Sequence, residues 1–286
     1  MQTILVVDRL AEAAVPYHEW FTPSDGRLVL FTTRPAEAFS SVETARYLEM
    51  HHYSTEDALT LLERDALRRA GQPDVTAVVA PARMDLLLAA VLRERRDLPG
   101  QTRRSALLFN DVCALRHELE AAGLPTVNCS PVTQILDVFG FAAEHGFPVR
   151  VRPRGARHGA TVELGSTGEV EAYVAGGLTA RKEHLPDLAV ESVPQGRRMD
   201  LAGTTGGGIP VTTGGGIPVT PQGGPVADEE VAGLVAAALD VLSVPAGHHW
   251  QAKLIRTPEG VLIDELTVGL TAGDPVPAPR IREAQP

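Results

Sequence analysis

The sequence predicts an α/β protein: an open, parallel-stranded unit over the first hundred residues, followed by a chain of mixed α+β texture. Three observations predict it. Short β-branched runs at residues 4–7, 28–31 and 75–79 read as buried parallel strands, with helical periodicity between and after them. From residue 101 the spacing changes, and helix, strand and turn signals succeed one another up to a hairpin signal at Pro258-Glu259-Gly260. The 286-residue length fits about two compact units of ~150 residues. With 44% hydrophobic and 22% charged residues a sizeable core can form and wholesale disorder is excluded.

The elements follow in order. Ile4-Leu5-Val6-Val7 ends at Asp8, and Leu28-Val29-Leu30-Phe31 ends in Thr32-Thr33. His51-His52 read as surface flanking a helix. That helix carries Ala58, Leu59, Leu61, Leu62, Ala66 and Leu67 at helical spacing and stops at Gly71. A second helix covers 85–96. The arginine-rich stretch 93–104, broken by Glu94 and Asp97, reads as a solvated helix end and linker. Helices are then expected over 111–122 and 132–144, with Gly123 and Gly146 as stops, and strands over 147–153, 160–164, 188–193 and 197–202. Residues 203–225 hold the octapeptide TTGGGIPV twice in tandem, at 204–211 and 212–219. With nine Gly and four Pro among 23 residues, this stretch reads as a flexible connector. A helix over 228–242 and strands over 250–257 and 261–266 complete the ordered part, before a proline-rich tail.

Composition limits the partners. Lys+Arg of 26 against Asp+Glu of 36 gives a net charge of −10, which argues against sequence-independent nucleic-acid binding and against a peripheral anchor on anionic lipid. No apolar run reaches the ~18 residues of a membrane span. The first residues lack a signal-peptide pattern, so the expectation is a soluble, cytoplasmic protein. Two cysteines, Cys113 and Cys129, cannot form a zinc–cysteine cluster and read as reduced thiols, Cys113 inside a helix core. His248-His249 are adjacent on a strand and diverge, with no third ligand spaced nearby, so zinc is not expected there.

Four segments in order carry a resemblance. LRERRDLPGQTRRSALLFNDVCALRHELEAAGLPTV is similar to a linker and short helix ending in Ala-Gly-Leu-Pro. EHGFPVRVRPRGARHGATVELGSTGEVEAYV is similar to Gly-x-Pro-Val-Val-Val-Lys-Pro followed by a glycine-rich loop and strand. VESVPQGRR resembles a hinge strand, and HHWQAKLIRTPEGVLIDELTVGLTAGD resembles a metal-binding hairpin. Together they resemble the ATP-grasp superfamily of carboxylate–amine ligases. The resemblance implies a Rossmann-like domain over 1–100, a small ATP-grasp subdomain over 101–180 and a shortened large subdomain over 181–286, the last two clamping a nucleotide. It further implies ATP and Mg2+ as cofactors, small-molecule carboxylate and amine substrates and an acylphosphate intermediate. The alternative is a degenerate homologue that no longer catalyses, acting as a nucleotide-binding protein or as the partner of an intact ligase or of a second copy.

The family needs cations on the phosphates and carboxylates on magnesium because phosphoryl transfer is chiefly positioning and charge neutralisation. The first lysine position here is Val112. The second is Arg152, which can fork onto two phosphate oxygens or lie on a solvated edge beside Arg150 and Arg154. Gly155 and Gly159 would let backbone N–H groups approach phosphate or form an ordinary hairpin turn, and His158 between them is a phosphate contact or surface. The hinge keeps Glu191 for the nucleotide, while the ribose-contacting position is Arg198. Glu265 keeps the second metal position; the first is the neutral Gln251, and the arginine position is Gly269. Strand neighbours point to opposite faces, so only one of Asp264 and Glu265 is expected to join Gln251.

Overall fold

A computed structural model describes residues 2–9, 17, 21, 26–53, 58–155, 161–178, 188–205, 211–212, 229–245 and 248–269. The chain forms two compact units, one of Met1–Ala106 with Gly269–Pro286 and one of Leu107–Val268. The expected contacts of His158 and Gly159, most of the repeated octapeptide and the proline-rich tail lie outside the described residues.

The first unit is built on a parallel sheet. β1 (Thr3–Asp8), β2 (Arg27–Thr32), β3 (Tyr47–His52) and β4 (Val75–Val79) align in the order β3-β2-β1-β4. All six residues of β1 are buried, and between its polar ends Thr3 and Asp8 the sequence is a continuous apolar run and not an alternation. Leu5, Val7, Val29 and Phe31 pack on one face with Leu62, Ala66 and Ala70 of a helix, Ala58–Ala70; Ala89 and Leu92 of a second, Leu86–Glu94, complete that layer. Ile4, Val6, Leu28 and Leu30 line the other face.

Two expectations change here. His51 and His52 end β3; His51 stacks on Phe31 at 4.6 Å and His52 Nδ1 lies 2.9 Å from the Arg34 carbonyl. The three-residue apolar content of YLEMHH hides this strand from a periodicity reading. Arg93 is also not a solvated helix end. It is 6% exposed and donates through Nη2 to the Val78 carbonyl at 2.9 Å, with Nη1 3.4 Å from that of Gln101.

The second unit holds two four-stranded sheets. One, in the order β5-β8-β6-β7, comprises β5 (Cys129–Val132), β6 (Val149–Pro153), β7 (Val162–Leu164) and β8 (Leu188–Ser192), all antiparallel. Its apolar face, with Val149, Val151, Leu164, Leu188 and Val190, is covered by Val138, Phe141 and Ala142 of the helix Ile135–His145 and Val170 of the helix Thr167–Tyr173. Residues 132–134 are therefore strand end and cap, not helix: Gln134 and Asp137 form a capping box that starts the helix at Ile135.

The other sheet comprises β9 (Arg197–Thr204), β10 (Val211–Thr212), β11 (His249–Thr257) and β12 (Gly260–Val268) in the order β10-β9-β11-β12. The expected connector thus begins as strand. Gly203 sits opposite Trp250, and a Cβ there would lie 2.6 Å from the indole, so glycine admits a buried tryptophan. Among the described residues no helix is long and apolar enough to cross a membrane.

Candidate functional site

The second face of the β5-β8-β6-β7 sheet is charged. On β6, period-two alternation puts Val149 and Val151 in the core and Arg150 and Arg152 on the opposite side. Cross-strand register places Glu191 of β8 between Arg150 on β6 and Cys129 on β5. Glu191 is fully buried, so its charge requires partners. Arg150 Nε donates to Glu191 Oε2 at 2.6 Å, and Arg116 Nη1 stands 3.0 Å from Glu191 Oε1.

Arg116 comes from the helix Val112–Ala121, which its N-cap Asp111 starts by accepting from the N–H groups of Cys113 and Ala114. Arg154 donates to the same carboxylate through Nε at 2.9 Å and Nη2 at 2.6 Å. Burial works to raise the Asp111 carboxyl, and Arg154 outweighs it, holding it below the ordinary value. Arg116 also donates to the Asp264 carbonyl on β12 at 2.5 Å. The chain after this helix is tied to β12 by backbone bonds of Ile263 with Pro125 and Val127.

A β-bulge decides what β12 contributes. Lys253 pairs with Glu265 and Leu254 with Ile263, so Asp264 is an extra residue in the ladder. A bulge re-aims the side chains that follow it. Both carboxylates consequently meet the arginines. Asp264 accepts from Arg150 Nη2 at 2.5 Å, and Glu265 accepts from Arg152 Nη2 at 3.2 Å and from Lys253 Nζ at 2.7 Å. Strand alternation fails where the register shifts, so the neighbours Asp264 and Glu265 both reach arginines, while the register puts Glu265 on the face of Gln251. Burial works to raise the Glu265 carboxyl, but Arg152 and Lys253 hold it down at about 2, so it is ionised at neutral pH.

Gln251 lies on the same face of the hairpin as Glu265, two residue pairs along the ladder, opposite Thr267. Gly155 is bridged to Asp111, and a Cβ on it would make only ordinary contact with the Asn110 carbonyl at 3.5 Å, so space does not demand glycine there. Gly269 is different. Its φ is +87°, and a Cβ would lie 2.8 Å from the Pro81 carbonyl oxygen, so no arginine fits where the resemblance places one. Arg198 of β9 is exposed, opposite Ile255. Sequence reading missed Arg116, which carries no local signal; Arg150 and Asp264 it noted beside Arg152 and Glu265 without giving either a role in the site.

Arg116, Arg150, Arg152 and Lys253 thus meet Glu191, Asp264 and Glu265, with Asp200 of β9 opposite Lys253. Such an arrangement can take up an anionic group by exchange, with Arg152 leaving Glu265 for the anion. Among the described residues no group of three or more His, Cys, Asp or Glu is placed to hold a metal ion. An ionised Glu265 with a neutral oxygen donor on the same face still fits magnesium, which commonly uses one or two protein ligands together with phosphates and water.

No family model and no curated protein matches the sequence. Solved structures do. The chain is similar to an L-amino acid ligase from Bacillus licheniformis, with 14% identity and a TM-score of 0.65 over 94% of this chain and 67% of that one. It is similar to a D-alanine–D-alanine ligase from Bacillus anthracis complexed with ATP, with 12% identity and a TM-score of 0.64 over 96% and 89%. A RimK domain ATP-grasp protein from Sphaerobacter thermophilus matches with 17% identity and a TM-score of 0.60 over 93% and 90%. The fold of this chain is the ATP-grasp fold.

Proposed function

We propose that the chain is an ATP-dependent carboxylate–amine ligase of the ATP-grasp kind, working through an acylphosphate. The observation that carries this reading is the 3.2 Å pair of Arg152 and Glu265, a basic and an acidic group from two different sheets of the second unit. Similarity of the fold to ligases of L-amino acids and of D-alanine, the latter complexed with ATP, supports it. Arg152 would leave Glu265 to fork onto phosphate oxygens, and Arg150 would stay on Glu191 and Asp264, fixing the face from which Arg152 projects. Magnesium, when bound with the nucleotide, would be held by Glu265 with Gln251 as a neutral donor, and would neutralise phosphate charge. The substrates would be a small carboxylic acid and an amine. The three-part division at residues 100 and 180 belongs to this reading.

A second reading is favoured by Val112 and Gln251, uncharged where the resemblance places a lysine and a magnesium carboxylate. It is a nucleotide-binding homologue without turnover, acting on a partner ligase. One experiment separates the two. ADP release is measured with magnesium-ATP and a panel of amino acids as both acid and amine. The ligase reading expects release that requires both additions and is lost in Glu265→Gln. ATP binding without release from any pair supports the second reading, and unchanged release in Glu265→Gln ends the role given to Glu265.

A further inference from the structure

Beside the charged face lie the only two cysteines of the chain. Cys113 is in the first turn of the helix Val112–Ala121, three residues before Arg116; Cys129 opens β5, opposite Glu191. Their Sγ atoms are 2.9 Å apart. They are sixteen positions apart in sequence and come from a helix and a strand, so the tertiary fold, not local chain geometry, brings the sulfurs together. Neither was assigned more than a core role by the sequence.

The two thiols are not equivalent. Cys113 is buried, whereas Cys129 is partly open to solvent. The two sulfurs share a hydrogen bond in which either can donate; that contact with Cys113, with the nearby guanidinium groups of Arg116 and Arg152, outweighs burial and the facing Glu191 and lowers the Cys129 pKa. The same hydrogen bond, with burial, raises that of Cys113. A low-pKa, reachable thiol beside a second thiol is the arrangement of a peroxide-reactive cysteine with a resolving partner.

We infer that Cys113 and Cys129 form a redox-modification site that takes hydrogen peroxide and closes to an intramolecular disulfide. The Cys129 thiolate attacks one peroxide oxygen; the O–O bond breaks, and the departing hydroxide takes up a proton as water. Cys129 is left as a sulfenic acid. Cys113 then gives up its proton and its sulfur attacks that of Cys129; the S–O bond breaks and a second water leaves. Two thiols lose two electrons, and one peroxide becomes two waters. The bond joins the helix carrying Arg116 to the strand facing Glu191, so it clamps the most buried part of the charged face from one end.

The test uses the full chain with hydrogen peroxide. Free thiols and denatured, non-reduced intact mass are read before and after. The expected result is loss of both thiols and of the mass of two hydrogen atoms, a monomer on a non-reducing gel, and reversal by dithiothreitol. The oxidised form should melt roughly 5–10 °C higher, the effect of closing a loop of this size. Cys113→Ser should instead accumulate a sulfenic acid that dimedone traps, and Cys129→Ser should keep its remaining thiol under the same peroxide. Retention of both thiols in the parent chain, cross-linking between chains, or over-oxidation of Cys129 without the internal bond would overturn the proposal.

Discussion

Two arginines, one in each unit, are almost equally buried: Arg93 at 6% and Arg116 at 2% exposure. Their surroundings are opposite. Arg93 has carbonyl partners, those of Val78 and Gln101, and burial pulls its pKa down to about 10. It acts as a strut between the helix Leu86–Glu94 and the end of β4. Arg116 instead meets the carboxylates of Glu191 and Asp264, beside two further arginines. Burial of a cation therefore does not mark a site. What marks one is an accumulation of ionised groups of both signs on one sheet face, which costs desolvation that an apolar face would not.

Variants sharpen that contrast. The largest effect is expected for Arg116→Ala, which strands Glu191 without one of its partners; denaturant unfolding should show a loss of about 3–5 kcal/mol. Acid should act next, through Glu265. Its folded pKa of about 2 lies below the ordinary 4.5, so its contribution is fully present above pH ~4.5 and is lost as the pH falls through about 2. That contribution is on the order of 2–3 kcal/mol, and a stability–pH profile of Glu265→Gln should lack it. Arg93→Met removes donors from two carbonyls and should cost about 1–3 kcal/mol. If it costs more than Arg116→Ala, the contrast between strut and cluster fails. Asp111→Ala, losing a helix cap and the Arg154 pair, should cost about 1–2 kcal/mol. The smallest effect is expected for Lys253→Ala, whose side chain is 58% exposed; it should stay under about 1 kcal/mol.

How much of this was legible in the sequence depends on the physical signal each part leaves. β1 and β2 are buried on both faces, and Ile4-Leu5-Val6-Val7 or Leu28-Val29-Leu30-Phe31 can hardly be read otherwise. β3 was illegible because its residues are half-buried and its composition is mixed. Arg152, Glu191 and Glu265 were singled out by resemblance, and the structure adds how they are held. The bulge at Asp264 leaves no local trace: Ile263-Asp264-Glu265-Leu266 reads as plain strand until pairing with Lys253 and Leu254 is known. Arg116 looks like any helix-surface arginine in ALRHELEA, and only a partner 75 residues away reveals it as buried. The cysteine pair was hidden for the same reason, since no short spacing announces a contact made through the tertiary fold.

The central claim is that Arg152, released from Glu265, grips nucleotide phosphate. Its most direct test is the melting temperature of the parent chain and of Arg152→Ala, each with and without millimolar magnesium-ATP. The account predicts a rise of several degrees for the parent and its near-complete loss in the variant, because a ligand held only by the folded state raises the melting point. No rise in the parent, or an equal rise in both, would contradict it.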